Sequence, residues 1–530
     1  MDECKRFIEN LKNRVCELEK KAALANWNFQ TTGKKEYGEE AAGLGIELAR
    51  IFRDKKVYDS LSAFVESDGL EPLLARQVEI LYKQSKSLQV PMELVEKEIF
   101  LGKEVESHFN NFRAQVGDKK LSENEILKVL HTCESSEERR VTWEASKELG
   151  KIVEAKIFEL VELRNRSATI LGYENYYLMH LDLDEIPEKR LFLILDELFE
   201  KTEEYYSSFL SGLQENLCKR FSITKDEIRS WHLEDPFFQT PPSVGQLDLD
   251  PFFKGKDIVA LTRKFFDLMG LEIGDILDRS DLYERPGKCQ HAFCMTLKRC
   301  EDIRVLVNVK DIARWMECML HEFGHAVYDK YINAGLPYFL KRPCHILFTE
   351  AVAMLMGRQN KKQSFLQNIA KIPANELGTH DEKIGELIRA QQIVFARWCM
   401  VVCHFERELY RDPGQDLNSL WWDFVERFQG IKRPSGRDHP DWASKIHLAC
   451  APVYYHNYVL GELLASQFLH AITENVFANT GNKVLWQQEV GIFLKEKIFI
   501  PGSSRNWEDS LVFATGEPLN PEYFVKDFVG

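Results

Sequence analysis

Apolar residues recur at helical spacing over most of this 530-residue chain. Residues 2–24 place Phe7, Ile8, Leu11, Val15 and Leu18 on one stripe with charges elsewhere, which predicts an amphipathic helix. The same spacing continues through 58–87, 89–115 and 123–170, and 188–221 is another long amphipathic segment. Residues 136–165 are rich in Glu, Lys, Arg, Ala and Leu, all strong helix formers. The chain shows no repeat of 20–50 residues and no low-complexity tract.

The pattern changes near 231. Trp231-His232-Leu233-Glu234-Asp235-Pro236-Phe237-Phe238-Gln239 and the following Pro241-Pro242 do not fit a regular helix. Residues 290–297 and 302–309 read as short strands joined by a turn at Arg299-Cys300-Glu301, the one convincing β signal. A helix then begins near Asp311, with Ile312, Trp315, Met316, Met319, Leu320 and Phe323 as its buried stripe. Helices resume to about 480, broken by a Gly/Pro-bearing loop at 429–441. The expected fold is mostly α with one small β-sheet.

Composition narrows the function classes. Hydrophobic residues make up 44% and charged residues 29%, as in a globular protein, and the formal net charge is −14. An acidic chain without a basic stripe argues against nucleic acid as a partner. The first ten residues carry acid where an export signal has a basic start, and no apolar run approaches the roughly 18–20 residues of a membrane span. The expectation is a cytoplasmic protein without a membrane partner. The 12 Cys form no Cys-x-x-Cys pair, and Cys399 and Cys403, four apart, read as small core thiols. No structural disulfides are expected.

The chemistry concentrates at residues 321–325, His-Glu-Phe-Gly-His. On a helix, His321 and His325 leave one face on consecutive turns. Imidazoles held that way can share one zinc ion at about 2.0–2.1 Å each. Glu322 then points beside the metal, where a carboxylate can take a proton from an attacking water. A catalytic zinc takes three protein ligands and keeps a fourth position open. A third His six residues after His325 is excluded, because position 331 is Tyr. Glu350 is available 25 residues on, a lone carboxylate in the apolar run Leu-Phe-Thr-Glu-Ala-Val-Ala-Met-Leu-Met. Glu317 and Asp329, four residues outside the two His, are candidates to orient the rings.

This motif, with Glu about 25 residues later, resembles the gluzincin zinc metallopeptidases of the angiotensin-converting enzyme (M2) and thimet oligopeptidase (M3) families. Ala25-Asn26-Trp27-Asn28-Phe29 with Thr31-Thr32 is similar to the Trp-Asn-Tyr-Asn-Thr segment of converting enzymes. Val161-Glu162-Leu163-Arg164-Asn165 with Leu171-Gly172-Tyr173 is similar to their Val-Glu-Leu-Ser-Asn and Leu-Gly-Phe. His291-Ala292, Lys445-Ile446-His447 and Tyr455-x-x-Tyr458 match further active-site segments. The likeness runs from about residue 20 to 475.

The resemblance implies one large helical peptidase domain over 1–530, two-lobed, with a deep central groove and the small sheet beside the zinc helix. Its N-terminal lobe would cover about 1–230. The strand pair, zinc helix and C-terminal helices would cover about 231–530. Zn2+ would be held by His321, His325 and Glu350, with Glu322 as base. Tyr458 and His447 would donate to the oxyanion and the substrate carbonyl. Lys445 and Tyr455 would hold a C-terminal carboxylate, and His291 and Ala292 would contact the substrate backbone. Short peptides are the implied substrates.

Two departures stand out. The span from His447 to the Tyr pair is one residue longer than in converting enzymes, and Asn457 replaces their chloride-binding Arg. Release of C-terminal dipeptides, endo-acting cleavage and non-catalytic peptide binding remain alternatives at this stage. Subunit composition is not encoded in any of these motifs.

Overall fold

The computed structural model describes residues 1–242, 249–289, 291–377 and 380–530. Helices dominate, and the strands form two antiparallel pairs. These are β1 (Ala114–Val116) with β2 (Lys119–Leu121), and β3 (Phe293–Lys298) with β4 (Asp302–Leu306). The fold is mostly α. No helix among the described residues is long and apolar enough to cross a membrane. The 12 cysteines are unbridged.

The chain packs as two compact units, each built from three segments. The first comprises Met1–Gln89, Leu247–Ile384 and Leu460–Tyr523, the second Val90–Gln246, Gly385–Val459 and Phe524–Gly530. The unit boundaries at 384/385, 459/460 and 523/524 fall inside the helices His380–Arg411, Tyr455–Ile472 and Glu522–Phe528.

In the first unit, the amphipathic N-terminal segment forms the helix Asp2–Thr32. It buries Ile8, Leu11 and Val15 against Val57, Leu61, Leu74, Val78 and Leu81. Each such burial contributes about 1.5–3 kcal/mol. The far end of this helix supports the β3–β4 pair, because Trp27 packs on Leu297 and Leu306. The helix ends at Gly33, whose φ of 67° is left-handed and where a Cβ would lie 2.4 Å from the Gly287 carbonyl oxygen. The helical segment expected at 58–87 is two helices, Lys55–Val65 and Pro72–Lys86. Gly69 at φ 82° and Pro72 at the first turn impose the break.

In the second unit, the segment expected as helix over 89–115 stops at Asn111 and runs into the β1–β2 hairpin, turned at Gly117 with φ 58°. The segment 123–170 divides into Glu123–Thr132 and Ser136–Ile170, capped by Ser122 and Ser135. The long helix Glu188–Phe221 coincides with the predicted span. Helix Ser136–Ile170 buries Val153, Ile157, Leu160 and Val161. It passes the 440 loop so closely that a Cβ on Gly150 would lie 2.2 Å from the Pro440 carbonyl oxygen.

The expected strand pair is present with shifted limits, 293–298 and 302–306. Its turn contains Cys300 at φ 63°. Gln290, the first residue of the predicted strand, lies outside the described residues.

Candidate active site

The metal motif lies on the helix Ala313–Tyr331, whose first N–H is capped by Asp250 at 3.0 Å. Met316, Met319, Leu320, Phe323 and Val327 are its buried stripe, while Ile312 and Trp315 are only half-buried. The helix Ile346–Gly357 lies against it. Gly324 permits that approach, since a Cβ there would sit 2.8 Å from the Cα of Ala353. A third helix also packs closely: a Cβ on Gly461 would lie 3.3 Å from the Cβ of Glu350.

This packing brings His321, His325 and Glu350 together, with their ligand atoms all within 4.8 Å of one another. The two Nε2 atoms are 3.3 Å apart, and Glu350 Oε2 lies 3.7 Å from one and 3.9 Å from the other. Tetrahedral ligands at about 2.0–2.1 Å from a zinc ion are separated by roughly 3.4 Å. The residues therefore fit the ion that their donor set implies.

Electrostatics agree with the geometry. Burial pushes His321 down to about 4 and His325 well below the ordinary imidazole value. Both rings are thus neutral near pH 7, the form that ligates. His325 Nδ1 lies 2.7 Å from the Thr349 hydroxyl, which orients the ring. Glu317 and Asp329, the orienting candidates from sequence, are engaged elsewhere. Glu317 pairs with Lys361 at 2.9 Å, and Asp329 accepts from the Thr296 hydroxyl. Thr349 escaped the sequence reading because a Thr before Glu looks like any helix residue.

Glu322 is 8% exposed. Burial first, and Glu350 second, push its carboxyl up to about 8. The backbone N–H of Cys294 donates to it, tying this candidate base to strand β3. His291 and Ala292 precede β3 directly, with His291 exposed and Ala292 half-buried.

A second cluster forms within the other unit. Lys445 Nζ donates to Gln239 Oε1 at 2.6 Å, and the Tyr455 hydroxyl reaches the same oxygen at 3.4 Å. Lys445 also lies over the rings of Trp398, Phe237 and Tyr455 at 5.3, 5.4 and 5.6 Å. Burial lowers it to about 8. The His447 ring is 4.9 Å from Tyr455 and 6.3 Å from Tyr458. Burial, then the nearby Lys445, pushes His447 down to about 4.

Gln239 was not singled out from sequence. It ends a loop in which Glu234 and Phe238 are left-handed, at φ 67° and 56°. Asp235 Oδ1 pins the loop by accepting from the N–H groups of Phe237 and Gln239 at 2.8 and 3.0 Å. Gln429 donates to the Phe238 carbonyl at 2.8 Å.

Comparison with known proteins points to peptidases. The family model described as angiotensin-converting enzyme (M2) matches residues 1–230, and that described as peptidase family M3 matches 276–529. The chain is related to the gluzincin M2 and M3 peptidases. The M3 match contains His321, Glu322, His325 and Glu350, together with Lys445, His447, Tyr455 and Tyr458. Carboxypeptidase 1 of Bacillus subtilis (strain 168) is 23% identical over 558 aligned positions, covering 98% of this chain and 96% of that protein. Angiotensin-converting enzyme of Theromyzon tessulatum is 20% identical over 549 positions, covering 93% and 85%. These relationships support a peptidase.

Proposed function

We propose that the chain is a zinc-dependent peptidase that releases dipeptides from the C-terminus of short peptides. The observation that carries hydrolysis is the convergence of His321, His325 and Glu350 beside the buried carboxyl of Glu322. When bound, zinc would serve as a Lewis acid that polarises a carbonyl and acidifies water. Glu322, as the carboxylate aimed by the Cys294 N–H, takes a proton from the attacking water. It then delivers a proton to the leaving amine.

On the strength of the resemblance, Tyr458 and His447 donate to the developing oxyanion. His291 and Ala292, ahead of β3, contact the substrate backbone as it extends the strand.

The C-terminal preference rests on Lys445 and Tyr455. Their convergence on one amide oxygen shows that two donors can meet at a single acceptor. A substrate carboxylate is the stronger acceptor for the same pair. Residues 1–530 act as one peptidase domain in this reading. The unbridged cysteines fit a reducing compartment, and the cytoplasm is the proposed location.

Hydrolysis of a peptide set by the zinc-loaded enzyme, with and without a chelator, tests the proposal. Activity lost to the chelator and restored by zinc is expected. Equal activity in both, or binding without cleavage, would contradict it.

A further inference from the structure

The segment bearing Lys445, His447, Tyr455 and Tyr458 is held from behind by two buried ionisable side chains. Arg164, 4% exposed, donates to the Ala449 carbonyl at 2.7 Å. Its other bonds reach the Tyr410 hydroxyl at 3.1 Å and Glu98 at 2.8 Å. Glu406, 2% exposed, accepts from the Val453 N–H at 2.7 Å. The Arg164 tether holds the helix Ile446–Cys450, which carries His447, and the Glu406 tether holds the link between it and the helix that begins at Tyr455.

Val453 is itself abnormal. It is fully buried and left-handed, with φ 53°, a conformation that a β-branched residue avoids. Such strain persists only where neighbours over-determine it. The N–H of a left-handed linker residue also needs a partner other than a regular helix ladder, and the Glu406 carboxyl supplies one.

The left-handed step lies between Lys445 and Tyr455. After that step, Lys445 and Tyr455 still reach the same Gln239 oxygen.

We infer that Glu406 and Arg164 are positioning residues that fix the register of the 445–458 segment around its left-handed turn at Val453. They touch no reacting atom. They set the spacing between Lys445 and Tyr455, and through it the selectivity for a free C-terminal carboxylate. The inference rests on the C-terminal recognition proposed above.

The test compares kcat/KM for one peptide as the free acid and as the C-terminal amide, using zinc-loaded enzyme. Burial pushes the Glu406 carboxyl up to about 8, so Glu406→Gln is a close neutral mimic that keeps an acceptor. Glu406→Leu removes the acceptor. Glu406→Gln should keep the acid-to-amide ratio of the wild type. Glu406→Leu should lower that ratio about tenfold through KM, as expected for one lost positioning contact. Any shift of His447 and Tyr458 on the same segment would lower kcat on acid and amide alike and so cancel from the ratio.

A folded Glu406→Leu protein with the wild-type ratio, or with equal losses on acid and amide, overturns the inference. A wild type without acid preference overturns the C-terminal reading itself, and the two failures are distinct. Should Glu406→Leu not fold, Val453→Gly and Val453→Ala decide. Gly should melt higher than Ala at this left-handed position and keep the ratio, the reverse of the usual order. Ala melting higher than Gly overturns the assignment.

Discussion

The two clusters use buried polar groups in opposite ways. In the metal cluster, burial keeps His321 and His325 neutral and so readies them to bind a cation. In the Lys445 cluster, an ammonium is kept buried by three aromatic rings and one amide oxygen. The first arises from regular helix geometry, where i and i+4 positions share a face and glycines let a neighbouring helix approach. The second is assembled from an irregular loop and two helix starts more than 200 residues away in sequence.

The largest separation between the clusters should come from Glu322→Gln. Loss of the base should cost about 10²–10⁴ in kcat, while zinc content and the preference for free-acid peptides persist. Single-turnover hydrolysis with metal analysis checks this. Glu350→Ala should strip the metal, with a loss of zinc affinity beyond the roughly 10–100-fold typical of an outer partner, measured by competition with a chromogenic chelator.

Lys445→Met should act on the other cluster alone. A charge-assisted hydrogen bond contributes about 1.5–3 kcal/mol, so kcat/KM for free-acid peptides should fall about 10–150-fold. Amidated peptides should be cleaved as before. Thr349→Val should lower zinc affinity about tenfold, because the His325 ring loses its anchor.

The smallest effect concerns pH and stability. His404 and His232, remote in sequence from the metal motif, are pushed down by burial to about 3 and about 4. The unfolded chain accepts protons near 6.5 that the folded chain refuses. Stability should be fully present above that value and decline as pH falls towards 4. Urea midpoints at pH 7 and pH 5 check the sign.

The metal cluster was legible in sequence because its rules are local. His321 and His325 follow helix periodicity, and Glu350 is conspicuous as a carboxylate in an apolar helix. The helix Glu188–Phe221 was legible for the same reason. Gln239 was hidden because Glu234 and Phe238 take left-handed conformations without a glycine to mark them, and the Asp235 side chain that pins the turn is unremarkable in sequence. The β1–β2 hairpin escaped because strands of three residues are too short to show alternation, although Gly117-Asp118 offered a turn signal. Helix breaks at 66–71 and 133–135 were available in principle from Gly69, Pro72 and the cap at Ser135, but the apolar periodicity ran across them.

The most direct measurement is a mass-spectrometric time course on one peptide offered as free acid and as C-terminal amide to the zinc-loaded enzyme. The account predicts successive loss of two residues at a time from the free acid, with the amide cleaved much more slowly. Internal cuts made equally on both forms, or removal of single residues, would contradict it.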